Sequence, residues 1–164
     1  MKQKKMLVVC IIGLLLVLVH NEAQAFDIVR GGKAAATIVV PVYENEPKLK
    51  KWTLKPANWL AEYIEKSTGA KLAIGEEGAS IEGKIISVGN TKLFQRSGIK
   101  LDDIKWNGCK LIVKNNIMYL VGNDVIGVGH RDFQGSKGTC KAVTTFLEDH
   151  IGVKWFIPSP MGEL

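Results

Sequence analysis

Residues 138–158 hold the tightest constraint on what this chain can fold into. Ala142, Val143, Phe146, Leu147 and Ile151 are apolar and recur at three- and four-residue steps, the spacing of one face of an α-helix. Thr139 stands where it would cap the start of that helix, and Gly152 where it would end it. Val153, Trp155 and Phe156 then suit an extended segment. The stretch therefore predicts a complete helix followed by a short strand.

The other end limits size. Lys2, Lys4 and Lys5 form a positive start, residues 6–19 an apolar run, and Ala23-Gln24-Ala25 a small-x-small site before Phe26. That is the pattern of a cleavable signal peptide. The uncharged run, residues 6–21, is shorter than the roughly 20 apolar residues of a spanning helix. Cys10 lacks the preceding small residues that lipid attachment needs. The expectation is export, cleavage after Ala25, a secreted or periplasmic product and no stable membrane anchor. Removing 25 of the 164 residues leaves 139, one domain over residues 26–164.

Three lysines and Glu22 leave with the leader, so 22 basic and 16 acidic residues become 19 and 15, net +4. Only Lys48, Lys50 and Lys51 cluster, and they read as a solvated loop. No basic stripe or recognisable module points to nucleic acid. The two remaining cysteines, Cys109 and Cys140, are either a bridge or two small buried hydrophobes, and their spacing does not choose. Cys140, in the first turn of the last helix, sits where the dipole favours a thiolate, but no partner base accompanies it.

Along the chain, residues 26–30 and 36–40 predict strands, with a turn at 31–33. Residues 43–51 are polar, carry Pro47 and read as a loop. A helix is expected from near Pro56, a residue suited to the first helical position, with Ala57, Leu60, Ala61 and Ile64 buried, Trp59 and Tyr63 on its shoulder, and Gly69 as its stop. Strands follow at 71–74 and 85–88, and a short helix at 90–95. The clearest hairpin joins 109–114 to 117–121 through Asn115-Asn116, because Asn tolerates the left-handed conformation of a two-residue turn. Residues 122–138 form a long glycine-rich connection, often a functional kind of loop. Alternating helices and strands followed by a hairpin predict an α/β or α+β domain, a mixed sheet flanked by two main helices.

A set of short segments then carries a resemblance: Ala36-Thr37-Ile38-Val39-Val40-Pro41, Trp59-Leu60-Ala61-Glu62-Tyr63-Ile64-Glu65-Lys66-Ser67-Thr68-Gly69-Ala70-Lys71-Leu72, Ile86-Ser87-Val88-Gly89-Asn90-Thr91, Leu120-Val121-Gly122, Gly138-Thr139, Ala142-Val143, Phe146-Leu147-Glu148, Gly152-Val153-Lys154-Trp155-Phe156-Ile157-Pro158 and Gly162-Glu163. In this order, over nearly all of residues 26–164, they resemble the N-terminal domain of α-glucuronidases and the second domain of bacterial β-N-acetylhexosaminidases. The likeness is nearest to an exported family of unknown function that carries the same domain. The resemblance implies a zincin-like fold without its metal site, leading into a catalytic barrel. A barrel typically takes about 250 residues, so the implied role is that of an accessory domain read without its barrel. Relatives often carry an arginine beside the glycine of Gly138-Thr139. Here Ser136-Lys137 precede it and Arg131 lies upstream, so no ligand role is carried onto Lys137.

The chemistry in the residues agrees. Glycoside hydrolysis needs two carboxyl groups facing one bond. Glu76-Glu77 and Asp102-Asp103 are sequence neighbours, which point apart on a strand or helix. No catalytic residue is assigned. Without a His-Glu-x-x-His, and with only His130 and His150 after the leader, no metal site or cofactor is expected. The candidate carbohydrate site is the 122–138 loop, with Asn123, Asp124, His130, Arg131, Asp132 and Gln134 as donors and acceptors. Trp52, Trp59, Trp106 and Trp155 are possible platforms. The glycines at 127, 129 and 135 do not have phosphate-loop spacing. Trp155, Phe156, Ile157 and Pro158 are expected at an interdomain interface. The expected partners are a catalytic barrel, in cis or in trans, and an oligosaccharide. The competing expectations are an independent carbohydrate-binding module, or an exported structural or interaction domain.

Overall fold

Val39, Val40, Ile86 and Val88 are buried in two neighbouring strands, the middle of a five-stranded mixed sheet. The computed structural model describes residues 25–81, 83–127 and 135–155. In chain order the elements are β1 (Val29–Arg30), β2 (Lys33–Ala34), β3 (Ala36–Val40), α1 (Pro47–Thr68), β4 (Ile74–Glu76), β5 (Lys84–Val88), α2 (Lys92–Arg96), β6 (Cys109–Lys114), β7 (Ile117–Gly122), β8 (Asp124–Val125), β9 (Ser136–Lys137) and α3 (Gly138–Phe146). A π-helical turn, Leu147–Ile151, continues α3. The main sheet has the order β4-β3-β5-β7-β6. Its first four strands are parallel, and β6 closes it antiparallel to β7. β1–β2 and β8–β9 are short antiparallel pairs. The protein is thus α+β, with three α-helices among the described residues.

Alternation along the strands sends side chains to two faces. Ile38, Val40, Ile86, Val88 and Leu120 pack with Leu60 and Ile64 of α1 and Val143 and Phe146 of α3. On the other face Tyr119 and Val121 pack with Phe94 of α2. Burying each such side chain fully contributes about 1.5–3 kcal/mol.

Several expected features hold in detail. Asn115 and Asn116 have φ 52° and 61°, the left-handed pair a tight hairpin requires, and Lys114 pairs with Ile117 across them. Gly69 and Gly152 end their helices at φ 74° and 86°.

Four expectations are corrected. The helix placed from Pro56 begins at Pro47 instead, and Pro56 lies inside it. Its buried stripe, Thr53, Pro56, Ala57, Leu60, Tyr63 and Ile64, continues a turn further back than the lysines suggested. Pro47 takes the first-turn place, where a missing N–H costs nothing. Tyr63 is buried rather than on the shoulder. The strand expected at 71–74 is shifted to Ile74–Glu76, in register with Ile38–Val40. Of the strand expected after Gly152, the described residues show one bridging residue, Trp155, and Phe156 lies outside them.

Candidate functional site

The order of the strands creates a crevice. From β3 the chain crosses by α1 to β4 on one side. It then returns to β5 on the other side of β3 and moves away from β4. The link after β5 carries Phe94 on the face opposite α1. The connections therefore part between β3 and β5, and in open α/β sheets ligands bind outside the carboxyl ends of strands at such a point.

The residues leaving β3, β5 and β7 line this end. Gly89 leaves β5 at φ 82°, and a Cβ there would lie 3.0 Å from Thr53 Cγ2 and 3.7 Å from Thr139 Cγ2. α1 and α3 thus both press on it. Thr91 caps α2, its Oγ1 accepting from Phe94 N at 3.0 Å, and lies 2.6 Å from Ser87 Oγ. Glu77 bridges the two banks. Its Oε2 accepts from Lys92 N at 2.6 Å and its Oε1 from Val42 N at 3.4 Å. Thr53 Oγ1 donates to the Tyr43 hydroxyl at 3.4 Å. Burial raises the Tyr43 phenol against that hydrogen bond, and Asp124, Glu46 and Glu77 add to the rise.

Asp124 begins the 122–138 connection and fastens it. Its Oδ1 accepts from Thr139 N at 2.9 Å, and its Oδ2 from Thr139 Oγ1. Thr139 therefore does not cap its own helix. Lys137 holds the cap position without a side-chain bond, and a carboxylate fifteen residues upstream satisfies the helix N–H instead. Burial raises the Asp124 pKa, although both Thr139 hydrogen bonds oppose it. Further along the stem, Ser136 Oγ donates to Asn123 O, and Lys137 N donates to Asn107 Oδ1 at 2.6 Å. Gly122 and Gly138 meet backbone to backbone; a Cβ on Gly122 would stand 2.1 Å from Gly138 C. Such an approach admits only glycine.

Of the expected sugar ligands, Asn123 and Asp124 lie at this stem, and Asp124 already serves α3. His130, Arg131, Asp132 and Gln134 lie outside the described residues. The tryptophans are dispersed. Trp52 packs on Gly135 and carries the Lys137 ammonium 5.0 Å from its ring. Trp106 is 69% exposed. Trp155 meets Trp59 at 6.0 Å with a 44° tilt, and Tyr63 edge-on at 5.1 Å, so these rings make an anchor and not a flat platform. Phe156, Ile157 and Pro158 lie outside the described residues.

The remaining candidates resolve locally. Cys109 and Cys140 are both free and half-buried, which answers the bridge left open by their spacing. Burial raises both thiols, and for Cys140 it outweighs the nearby Lys137 and Lys55. Asp124 adds to the rise at Cys140. Glu76 pairs with Lys50 at 3.3 Å and Asp103 with Lys110 at 2.6 Å. No group of three or more His, Cys, Asp or Glu among the described residues could hold a metal ion.

Sequence reasoning missed Tyr43, Thr53 and Gly89, and weighed Glu77 only as a catalytic carboxylate. The only local signal was Val88-Gly89-Asn90-Thr91, a strand running into a glycine and a helix cap. It also missed an apolar cavity of about 460 Å³ below α3, bordered by Phe26, Ile28, Leu111, Met118, Phe146 and His150. Comparison with protein-family models, with curated proteins and with solved structures finds no match to this chain.

Proposed function

We propose that this chain is a non-catalytic accessory domain of a secreted glycoside hydrolase of the α-glucuronidase or β-N-acetylhexosaminidase kind. Its role is to pack against a catalytic barrel and shape one side of the substrate cleft. The finer fold assignment, that of the hexosaminidase second domain, belongs to the same proposal. The observation that carries it is the aromatic anchor. Trp155 is laid on Trp59 and Tyr63 of α1, so the chain beyond it leaves from a held point, as an element that positions a neighbouring unit requires. The carboxylates of the crevice add support. Asp124 and Glu77 are both engaged by backbone N–H groups, which leaves them poorly placed as an acid–base pair.

The test is enzymatic and associative. The purified chain is expected to turn over neither aryl β-N-acetylglucosaminides nor aryl glucuronides. Turnover that disappears on Glu76→Gln or Glu77→Gln overturns the proposal. In sedimentation, self-association through the Trp155 end is expected, and Trp155→Ser or Phe156→Ser should reduce it. A monomer at high concentration, unchanged by either substitution, argues against an interface there. The carbohydrate-binding alternative draws on Lys137 over Trp52 at the stem. It predicts NMR shifts at 123–127 and 135–139 on titration with acidic or N-acetylated oligosaccharides.

A further inference from the structure

Trp106 is held in a backbone conformation that its side chain resists. Its φ is 39°, and among the described non-glycine residues only the hairpin pair, Asn115 and Asn116, shares a positive φ. Left-handed backbone strains a bulky residue, and such strain persists only where the surroundings over-determine it. Here they do. Gly108 N donates to Lys105 O at 2.8 Å, Asn123 N donates to Gly108 O at 3.0 Å, and Asn107 Oδ1 accepts from Lys137 N at 2.6 Å. A Cβ on Gly108 would lie 2.8 Å from Ile104 Cβ. The turn is clamped to the stem of the 122–138 connection, yet the ring it carries is 69% exposed and belongs to neither apolar cluster of the core.

Beside it lies a cleft of about 390 Å³ lined by Asn107, Gly135, Lys137, Cys140, Lys141 and Thr144. Asn107 follows Trp106 directly, so their Cα atoms are about 3.8 Å apart. The lining carries two lysines and no carboxylate. Neither ammonium has an ion pair among the described residues. The Lys137 ammonium is held 5.0 Å from the Trp52 ring, and Lys141 follows one helical turn later on the same side. Lys55 adds its positive charge near Cys140, whose thiol burial keeps neutral. Asp124, the acid that also acts on Cys140, is already engaged by Thr139. Because Oδ1 of Asn107 is the atom that accepts from Lys137 N, its amide nitrogen remains a donor.

We propose that this cleft binds a sulfated sugar, with the sulfate ester between Lys137 and Lys141 and the sugar ring lying on Trp106. A bare anion has no use for the exposed ring, and an uncharged sugar leaves both ammonium groups unanswered. Planar carboxylates are read best by arginine forks, and the lining holds no arginine. Two ammonium groups with rotatable donors suit the spread oxygens of a tetrahedral ester. One pair of cations holds one oxyanion, whereas a nucleic-acid strand takes a groove that tracks its backbone. With a neutral thiol and no carboxylate in the lining, the site has no base, so it binds without cleaving. The site goes beyond the accessory-domain proposal and does not rest on it; loss of sugar binding leaves the turnover and sedimentation results of that proposal as they are.

The test titrates the full chain with a chondroitin sulfate tetrasaccharide and with the same tetrasaccharide lacking sulfate, by NMR and calorimetry. The sulfated sugar should bind with shifts at 105–107, 137 and 140–144. The unsulfated one should bind roughly tenfold or more weakly, because a charge-assisted contact is lost. Lys137→Gln and Lys141→Gln should each weaken the sulfated sugar by roughly tenfold. Trp106→Gly separates a binding role from a structural one. It should weaken binding by roughly tenfold yet leave Tm unchanged or higher, because glycine takes φ 39° without strain. A lower Tm with normal binding makes the ring structural and overturns the proposal. Equal affinity for the two tetrasaccharides, or no shift at millimolar ligand, also overturns it. Inorganic sulfate that reproduces both the shifts and the affinity reduces the cleft to a simple anion site. An oligothymidylate that binds in preference makes it a nucleic-acid contact, and shifts confined to 123–127 move the sugar to the stem. Each of these three results likewise overturns the proposal.

Discussion

Replacing Gly122 by alanine tests the junction on which the crevice depends. The added Cβ would lie 2.1 Å from Gly138 C, 2.4 Å from its Cα and 2.5 Å from its O. Ordinary contact begins near 3.4 Å, so β7 and the start of α3 would have to part by about 1 Å or more. The neighbours are backbone on both sides, and no side-chain rotation relieves the clash. Overpacking in a well-packed interior costs about 1–3 kcal/mol, occasionally more. With three backbone atoms in the way, the upper end applies, about 3 kcal/mol. That is a large part of the roughly 5–15 kcal/mol of a typical domain, and it corresponds to a fall in Tm of roughly 10 °C. Parting also stretches the Thr139 N to Asp124 Oδ1 bond, now 2.9 Å. The assay is urea unfolding followed by tryptophan fluorescence, with a thermal melt alongside. Gly138→Ala should act alike, since its Cβ would stand 2.3 Å from Asn123 N. The double variant should cost less than the sum, because one opening accommodates both methyls. Gly75→Ala, whose Cβ meets only Ala79 Cβ at 3.9 Å, is the control and should change stability by no more than about 0.5 kcal/mol. A Gly122→Ala protein within about 0.5 kcal/mol of the parent, at an unchanged m value, refutes the close approach.

Asp124 titrates with a raised pKa in the folded state, so between its unfolded value and that raised one the folded chain holds more protons than the unfolded. Its contribution to stability therefore falls as pH rises through that window. The difference in urea midpoint between the parent and Asp124→Asn, measured from pH 4 to 7, should drift toward the variant, and a flat difference contradicts the burial. Asn116→Gly should stabilise the hairpin by about 0.5–1 kcal/mol, since φ there is 61° and glycine adopts it without strain; a loss of stability on denaturation refutes the turn. Trp155→Ala should cost about 3 kcal/mol through the lost contacts with Trp59 and Tyr63, read by thermal melting, and a change under about 1 kcal/mol removes the anchor. Thiol titration should find Cys109 and Cys140 both free, slow to react when folded and fast in denaturant; two thiols missing from the denatured, unreduced chain indicate a bridge.

Legibility followed the range of the interaction. The Asn115-Asn116 turn, the glycine stops at 69 and 152 and the apolar stripe of α3 are decided within a few residues of chain, and each was visible in the order of amino acids. The start of α1 was not. Pro47 and Pro56 are both acceptable first-turn residues, and only burial of Thr53 against β5 and α3 extends the helix back through the lysines. β4 took its position from its register with β3 and not from its own weak pattern. The candidate site was legible as a region, the polar stretch after β7, but not as an arrangement. Asp124 and Thr139 are fifteen residues apart, and nothing local distinguishes a ligand-binding carboxylate from one that caps a distant helix. The two thiols were undecidable for the same reason, since spacing along a chain carries no distance in space. The crevice itself exists because β5 returns to the far side of β3. Strand order is chosen by which faces bury together, a property of the whole packed chain. Sequence alone determined where helices and turns stop; tertiary structure decided which strand ends meet and what each buried polar group holds.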